Sequence, residues 1–242
     1  MPSRDDWQRR LGPLYGGAVA LTRSTAWRWP AELGDAPRGA GWLIALGVPI
    51  GAAAWLVARL ARAAGLPTSI AALLGLAMLS LAAAAVVERG LAEQIDRWDG
   101  RDREPGVSAV LVLVFTTLVR AAAITALPPD RWLGALIATA VVGRWAAMLL
   151  QAIGDPVDDL PGTRSLVAAP APVRLVIAAS LGAVALAVLA LGKMGIVALA
   201  LAAIAALGLG LAAERRQRAL TAGAIATAAA IGELAVLLVA AV

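Results

Sequence analysis

The stretch Glu88-Arg89-Gly90-Leu91-Ala92-Glu93-Gln94-Ile95-Asp96-Arg97 holds the residues best suited to chemistry. It reads as a charged loop between two long apolar runs. Glu93 and Asp96 are spaced i, i+3, and Glu88 lies one turn and a half before Glu93, so the acids can gather on one side of a helix. At the mouth of membrane helices, converging carboxylates hold a divalent cation or a phosphate-bearing substrate.

Almost everything around this stretch is Ala, Leu, Val and Gly. The chain is 61% hydrophobic and 15% charged, with a mean hydropathy of +0.82. Its apolar residues come in runs long enough to cross a bilayer. The chain has no Cys, which excludes disulfides and thiolate metal sites. It also has no His, so acid–base work falls to carboxylates, Lys193, Tyr15 or water. The excess of 21 basic over 16 acidic residues points to membrane topology rather than nucleic acid. The polar, Arg-rich first forty residues do not read as a cleavable signal peptide.

The expected architecture is an all-α polytopic membrane protein of about seven transmembrane helices. The spans read as Gly41–Val57, Thr68–Val87, Gly106–Leu127, Trp132–Ile153, Val173–Leu191, Met194–Ala213 and Leu220–Val242. The short Gly192-Lys193 link makes the fifth and sixth a helical hairpin. Residues 1–40 read as a cytoplasmic or interfacial segment, with Trp7, Trp27 and Trp29 among arginines. Residues 41–242 read as one transmembrane helical domain. A cytoplasmic N-terminus puts the arginines of 4–38, 89–103, 164–174 and 215–218 inside. Only Arg59, Arg62, Arg131 and Lys193 are then outside. That bias follows the positive-inside rule and places the Glu88–Glu104 loop on the cytoplasmic face.

Three charges fall well inside spans: Arg120, Arg144 and Glu233. A charge at mid-bilayer costs roughly 2.5–3.5 kcal/mol on insertion scales, so such groups face partners or wet cavities. Glu233 is expected to pair with Arg120 or Arg144. Arg144 suits a phosphate, which a guanidinium grips through two parallel hydrogen bonds.

Taken in order, these segments resemble the adenosylcobinamide-GDP ribazoletransferase family, also called cobalamin synthase. Its hallmark, close to H-x-D-G-L-A-D-x-x-D-G, aligns with Val87 to Arg97. A later signature, close to D-S-R-x-G, aligns with Asp102-Arg103-Glu104-Pro105-Gly106. Gly143-Arg144-Trp145 resembles the family's Gly-Arg-Trp helix, Leu21-Thr22-Arg23 its L-T-R start, and Thr221 to Leu238 its T-G-D…E ending, with Glu233 at the last acid. The departures are specific: Val87 replaces the histidine, Arg89 the first aspartate, Glu93 the second, Arg97 the last glycine and Gly223 the T-G-D aspartate. Asp96 alone of the hallmark acids is unchanged.

The resemblance implies transfer of the cobinamide-bearing phosphoryl group of adenosylcobinamide-GDP to α-ribazole or its 5′-phosphate, with release of GMP. It implies Mg²⁺ held by Glu88, Glu93 and Asp96, catalysis by Asp96, Glu93 and Arg144, and substrate contacts from Arg89, Asp102 and Glu233. An Arg89 beside the acids competes with the cation for them. The alternative is a catalytically impaired member acting as a membrane scaffold for cobinamide-activating enzymes. A transporter would also use intramembrane charges, but the chain lacks the paired halves many transporters show.

Overall fold

The computed structural model describes residues 4–27, 33, 39–100, 106–154, 156–157, 165–166 and 173–242. Long apolar runs rich in Ala and Leu can satisfy their backbone in lipid only as helices, and the described residues are helical apart from one two-residue bridge, short turns and links. The helices are α1 (Arg4–Leu11), α2 (Tyr15–Ser24), α3 (Gly39–Ala63), α4 (Thr68–Ala82), α5 (Val86–Trp98), α6 (Val107–Ala126), α7 (Trp132–Ile153), α8 (Val173–Leu191), α9 (Met194–Gln217) and α10 (Ala222–Ala240). The bridge pairs β1 (Pro156–Val157) in parallel with β2 (Leu220–Thr221).

Among the described residues, six helices are long and apolar enough to cross a membrane: α3, α6, α7 with the short turn before it, α8, α9 and α10. This is a polytopic membrane protein. The seventh span expected at Thr68–Val87 is broken. Its helix ends at Ala82, and α5 leaves at 82° to α4. The cause is local. Ala84 and Ala85 are left-handed, at φ 54° and 52°. Ala85 N–H donates to the Ser80 carbonyl and Ala84 N–H to the Leu81 carbonyl, the bond pair of a Schellman C-cap, here closed by alanine where glycine is usual. Ala26 N–H donates to the Ala82 carbonyl at 2.9 Å, so the segment after α2 satisfies a helix-end acceptor at the break.

The charged stretch is consequently helix rather than loop. Val86, Val87, Gly90, Leu91 and Gln94 form the buried side of α5, the spacing of an amphipathic helix. Arg89, Glu93, Asp96 and Arg97 occupy the rest of its circumference.

α7 and α10 are the most enclosed spans, and α6 and α8 keep broad outward faces. Small residues let the central helices approach closely. A Cβ at Gly232 would lie 3.2 Å from the Cα of Gly143. α3 runs antiparallel to α7: Gly47 meets Ala140 and Val141, Gly51 meets Leu136 and Ile137, and Arg62 reaches Trp132. α5 lies at the other end, against Ala222 and Ala226 at the start of α10.

Candidate functional site

The break after α4 turns Glu88 back toward the bundle. Its Oε1 accepts from the Ser80 hydroxyl and lies 3.5 Å from Nη1 of Arg120. Nη2 of the same guanidinium lies 2.9 Å from Glu233 Oε2 and also donates to the Ala230 carbonyl at 3.3 Å. One arginine therefore bridges two acids from α5 and α10. Of the two partners expected for Glu233, the one paired here is Arg120. The geometry requires a glycine: a Cβ at Gly143 would lie 2.5 Å from Glu233 Cγ and 3.0 Å from the Ala229 carbonyl oxygen.

Arg144 follows Gly143 on α7 and is 1% exposed. Its Nη1 donates to the Ala140 carbonyl at 3.2 Å. Its Nε and Nη2 are buried without a hydrogen-bond partner, as are Glu88 Oε2, Arg120 Nε and Gln94 Nε2. Nε and Nη2 form the side-on edge of a guanidinium, the edge that takes two oxygens of one phosphate or carboxylate. Buried donors left unpaired are costly, so a site holding several is poised for a polar ligand.

The other hallmark residues point elsewhere. Arg89 Nε lies 3.6 Å from Glu93 Oε1, both side chains partly exposed. Asp96 Oδ1 accepts the Gly106 N–H at 2.8 Å, tying the end of α5 to the start of α6. Glu88, Glu93 and Asp96 thus do not converge, because a helix places positions 88 and 93 well apart around its axis. Among the described residues no three carboxylates are grouped to hold a metal ion. These residues do not fit the three-acid Mg²⁺ cage expected from the sequence. Asp102 lies outside the described residues.

A narrow crevice lined by Val86, Arg89, Gly90, Glu93, Ser165, Leu166, Ala222 and Ala226 opens beside α5. The floor between α5 and α10 is tightly packed. A Cβ at Gly90 would collide with that of Ala226, and one at Gly223 would lie 3.2 Å from the Gly90 carbonyl oxygen and 3.3 Å from Gln94 N. Thr221 Oγ1 donates to Gln94 Oε1 at 3.1 Å and accepts the Ala224 N–H at 3.3 Å, capping α10. Ser80, a single polar residue in an apolar run, escaped the sequence reading; Gln94 and Thr221 fell within the motifs quoted there but were given no role.

Fold and site define a class: a polytopic helical membrane protein whose buried Arg–Glu network lies beneath a short amphipathic helix carrying the acidic hallmark. The family model described as cobalamin-5-phosphate synthase matches residues 17–241, and the chain belongs to that family. An adenosylcobinamide-GDP ribazoletransferase of Azorhizobium caulinodans is 33% identical over 177 residues, 60% of this chain and 67% of that protein. No solved structure matches the chain significantly.

Proposed function

We propose that the chain is an adenosylcobinamide-GDP ribazoletransferase of the cell inner membrane, with the α5 end of the bundle facing the cytoplasm. It joins adenosylcobinamide-GDP to α-ribazole or its 5′-phosphate, giving adenosylcobalamin or its phosphate and GMP. The ribazole hydroxyl oxygen bonds to the cobinamide-bearing phosphorus, the bond from that phosphorus to the bridging oxygen breaks, and GMP leaves with that oxygen. Family membership supports the reaction class. The observation that carries the site is the unpaired two-donor edge of Arg144, buried beside the Glu233 helix contact.

Phosphoryl transfer depends on positioning and charge neutralisation more than on covalent chemistry from the protein. In this reading Arg144 takes the oxygens of the transferred phosphoryl group. Arg120 and Glu233 hold the helices around it at a fixed separation, and Arg89 meets the GMP side of the diphosphate. Asp96, tied to Gly106 N–H, and Glu93, paired with Arg89, lie on other faces of α5 and are given the outer part of the substrate rather than the phosphoryl group on Arg144. Mg²⁺ would be held mainly by the diphosphate oxygens and water, with at most one or two carboxylates of α5, and would screen the diphosphate charge.

The Arg89–Glu93 pair favours a second reading. A guanidinium at the first hallmark position occupies a carboxylate the reaction would use, which suits an impaired member that scaffolds cobinamide-activating enzymes. The test is GMP release by the purified protein in detergent, given adenosylcobinamide-GDP, α-ribazole and Mg²⁺, with Arg89→Asp in parallel. Turnover by the unmodified chain supports the transferase. Turnover only in Arg89→Asp marks a disabled copy. Silence in both overturns the proposal in favour of the scaffold.

A further inference from the structure

The end of the bundle farthest from α5 carries a second feature that the transferase reading does not use. A cleft of about 390 Å³ is lined by Trp55, Arg59, Arg62 and Ala63 of α3, Pro129 and Asp130 of the α6–α7 turn, and Trp132 of α7. Its construction follows from the helix period. Trp55, Arg59 and Arg62 are spaced i, i+4, i+7 and share one face of α3. The Arg59 guanidinium lies over the Trp55 ring, 5.5 Å from its centroid, and that of Arg62 over Trp132 at 5.9 Å. Trp132 is itself fixed, almost fully buried with its indole N–H on the Leu127 carbonyl at 3.2 Å. Stacking on rings holds both guanidinium planes while leaving their N–H edges for another acceptor.

The cleft is therefore two preset cations with one carboxylate, Asp130, at the rim. Beside it on α3, Leu56 and Leu60 stand one turn apart with about half of their surfaces exposed, at 49% and 60%. Trp and Arg at the end of a span, next to outward-facing leucines, mark the depth of lipid headgroups. We infer that this cleft binds the headgroup of an amine-bearing phospholipid such as phosphatidylethanolamine. Arg59 and Arg62 take the phosphodiester, Asp130 takes the ammonium, and Leu56 and Leu60 lie along the acyl chains. A soluble phosphate ester offers the same phosphate chemistry without the chains, and the test separates the two sources.

The purified full-length protein in detergent is given phosphatidylethanolamine, phosphatidylglycerol or soluble glycerophosphoethanolamine, and bound molecules are counted by native mass spectrometry. The unmodified chain is expected to retain phosphatidylethanolamine over both others. Arg59→Gln with Arg62→Gln is expected to lower that retention about tenfold or more, the scale of losing charge-assisted phosphate bonds. Asp130→Asn, a change at an exposed position that leaves the fold intact, is expected to shift the preference toward phosphatidylglycerol and keeps the test decisive if the double variant is unstable. Equal retention by unmodified and variant proteins overturns the inference. Binding of the soluble ester as tight as the lipid overturns the lipid assignment.

Discussion

Arg120 of α6 and Glu233 of α10 meet at 2.9 Å, with 6% and 4% of their side chains exposed. Each residue alone is a costly intramembrane charge, and together with Glu88 they tie three helices at one depth. Removing one partner of a buried pair leaves an uncompensated charge and costs about 3–5 kcal/mol, whereas replacing both by apolar residues costs much less. Arg120→Met, which strands both Glu88 and Glu233, is therefore expected to lower the thermal unfolding midpoint in detergent more than Glu233→Leu, which leaves Arg120 its Glu88 partner, and the double variant is expected to lose less than the sum of the two. Additive losses would contradict this coupling.

Arg144 has its two-donor edge unpaired. Lysine keeps the charge but cannot present two parallel donors. Arg144→Lys is expected to lower kcat/KM for GMP release by roughly 10–100-fold, the worth of a charge-assisted bidentate contact. Stability should change little by comparison, and a steady-state assay beside a melting curve separates the two effects.

Arg89 and Glu93 form a partly exposed pair on one helix face. Such pairs contribute about 0.3–0.5 kcal/mol, so Arg89→Gln should leave the melting midpoint nearly unchanged. Because Arg89 is proposed to meet the substrate diphosphate, the expected loss lies instead in a raised KM for adenosylcobinamide-GDP, which a steady-state assay of GMP release measures.

Gly223 occupies the place of the family's T-G-D aspartate, and its packing is tight for any side chain. A Cβ there would meet the Gly90 carbonyl oxygen and Gln94 at 3.2–3.3 Å. Gly223→Asp is expected to destabilise the protein by about 1–3 kcal/mol, the usual cost of overpacking, and not to raise activity. A gain in GMP release would show that α5 can shift to admit the side chain.

Ala84 is left-handed at φ 54°. Glycine adopts that region freely, while an L side chain there costs roughly 1–2 kcal/mol. Ala84→Gly is expected to raise the melting midpoint modestly. A lower midpoint would mean that glycine's extra freedom in the unfolded chain outweighs the relieved strain.

Hydropathy alone revealed the helical class and six of the spans, because lipid permits a long apolar run few other structures. The pairing of Glu233 was visible as two alternatives, since an intramembrane acid needs a cation and the chain offered only Arg120 and Arg144. The break at Ala83–Ala85 was hidden. Its residues are alanines, which carry no turn signal, and the bend is held by backbone bonds and by Ala26 from a distant segment. That one hidden turn altered the site. It made the charged stretch a helix, sent Glu88 inward to Arg120, and left Glu93 and Asp96 on other faces.

The early end of α4 also sets the depth of the chemistry. Its 15 residues rise only about 22 Å at 1.5 Å each, while the hydrocarbon layer is ~30 Å thick. α4 leads from the Trp132 end to the α5 end, so α5 turns across the bundle before the full thickness has been covered. A helix that short sets up a hydrophobic mismatch in a full-thickness bilayer, which lipids relieve by thinning. In the proposed transferase, bilayer thickness would then set how deep α5 and its acids lie and how far a water-soluble nucleotide substrate has to descend.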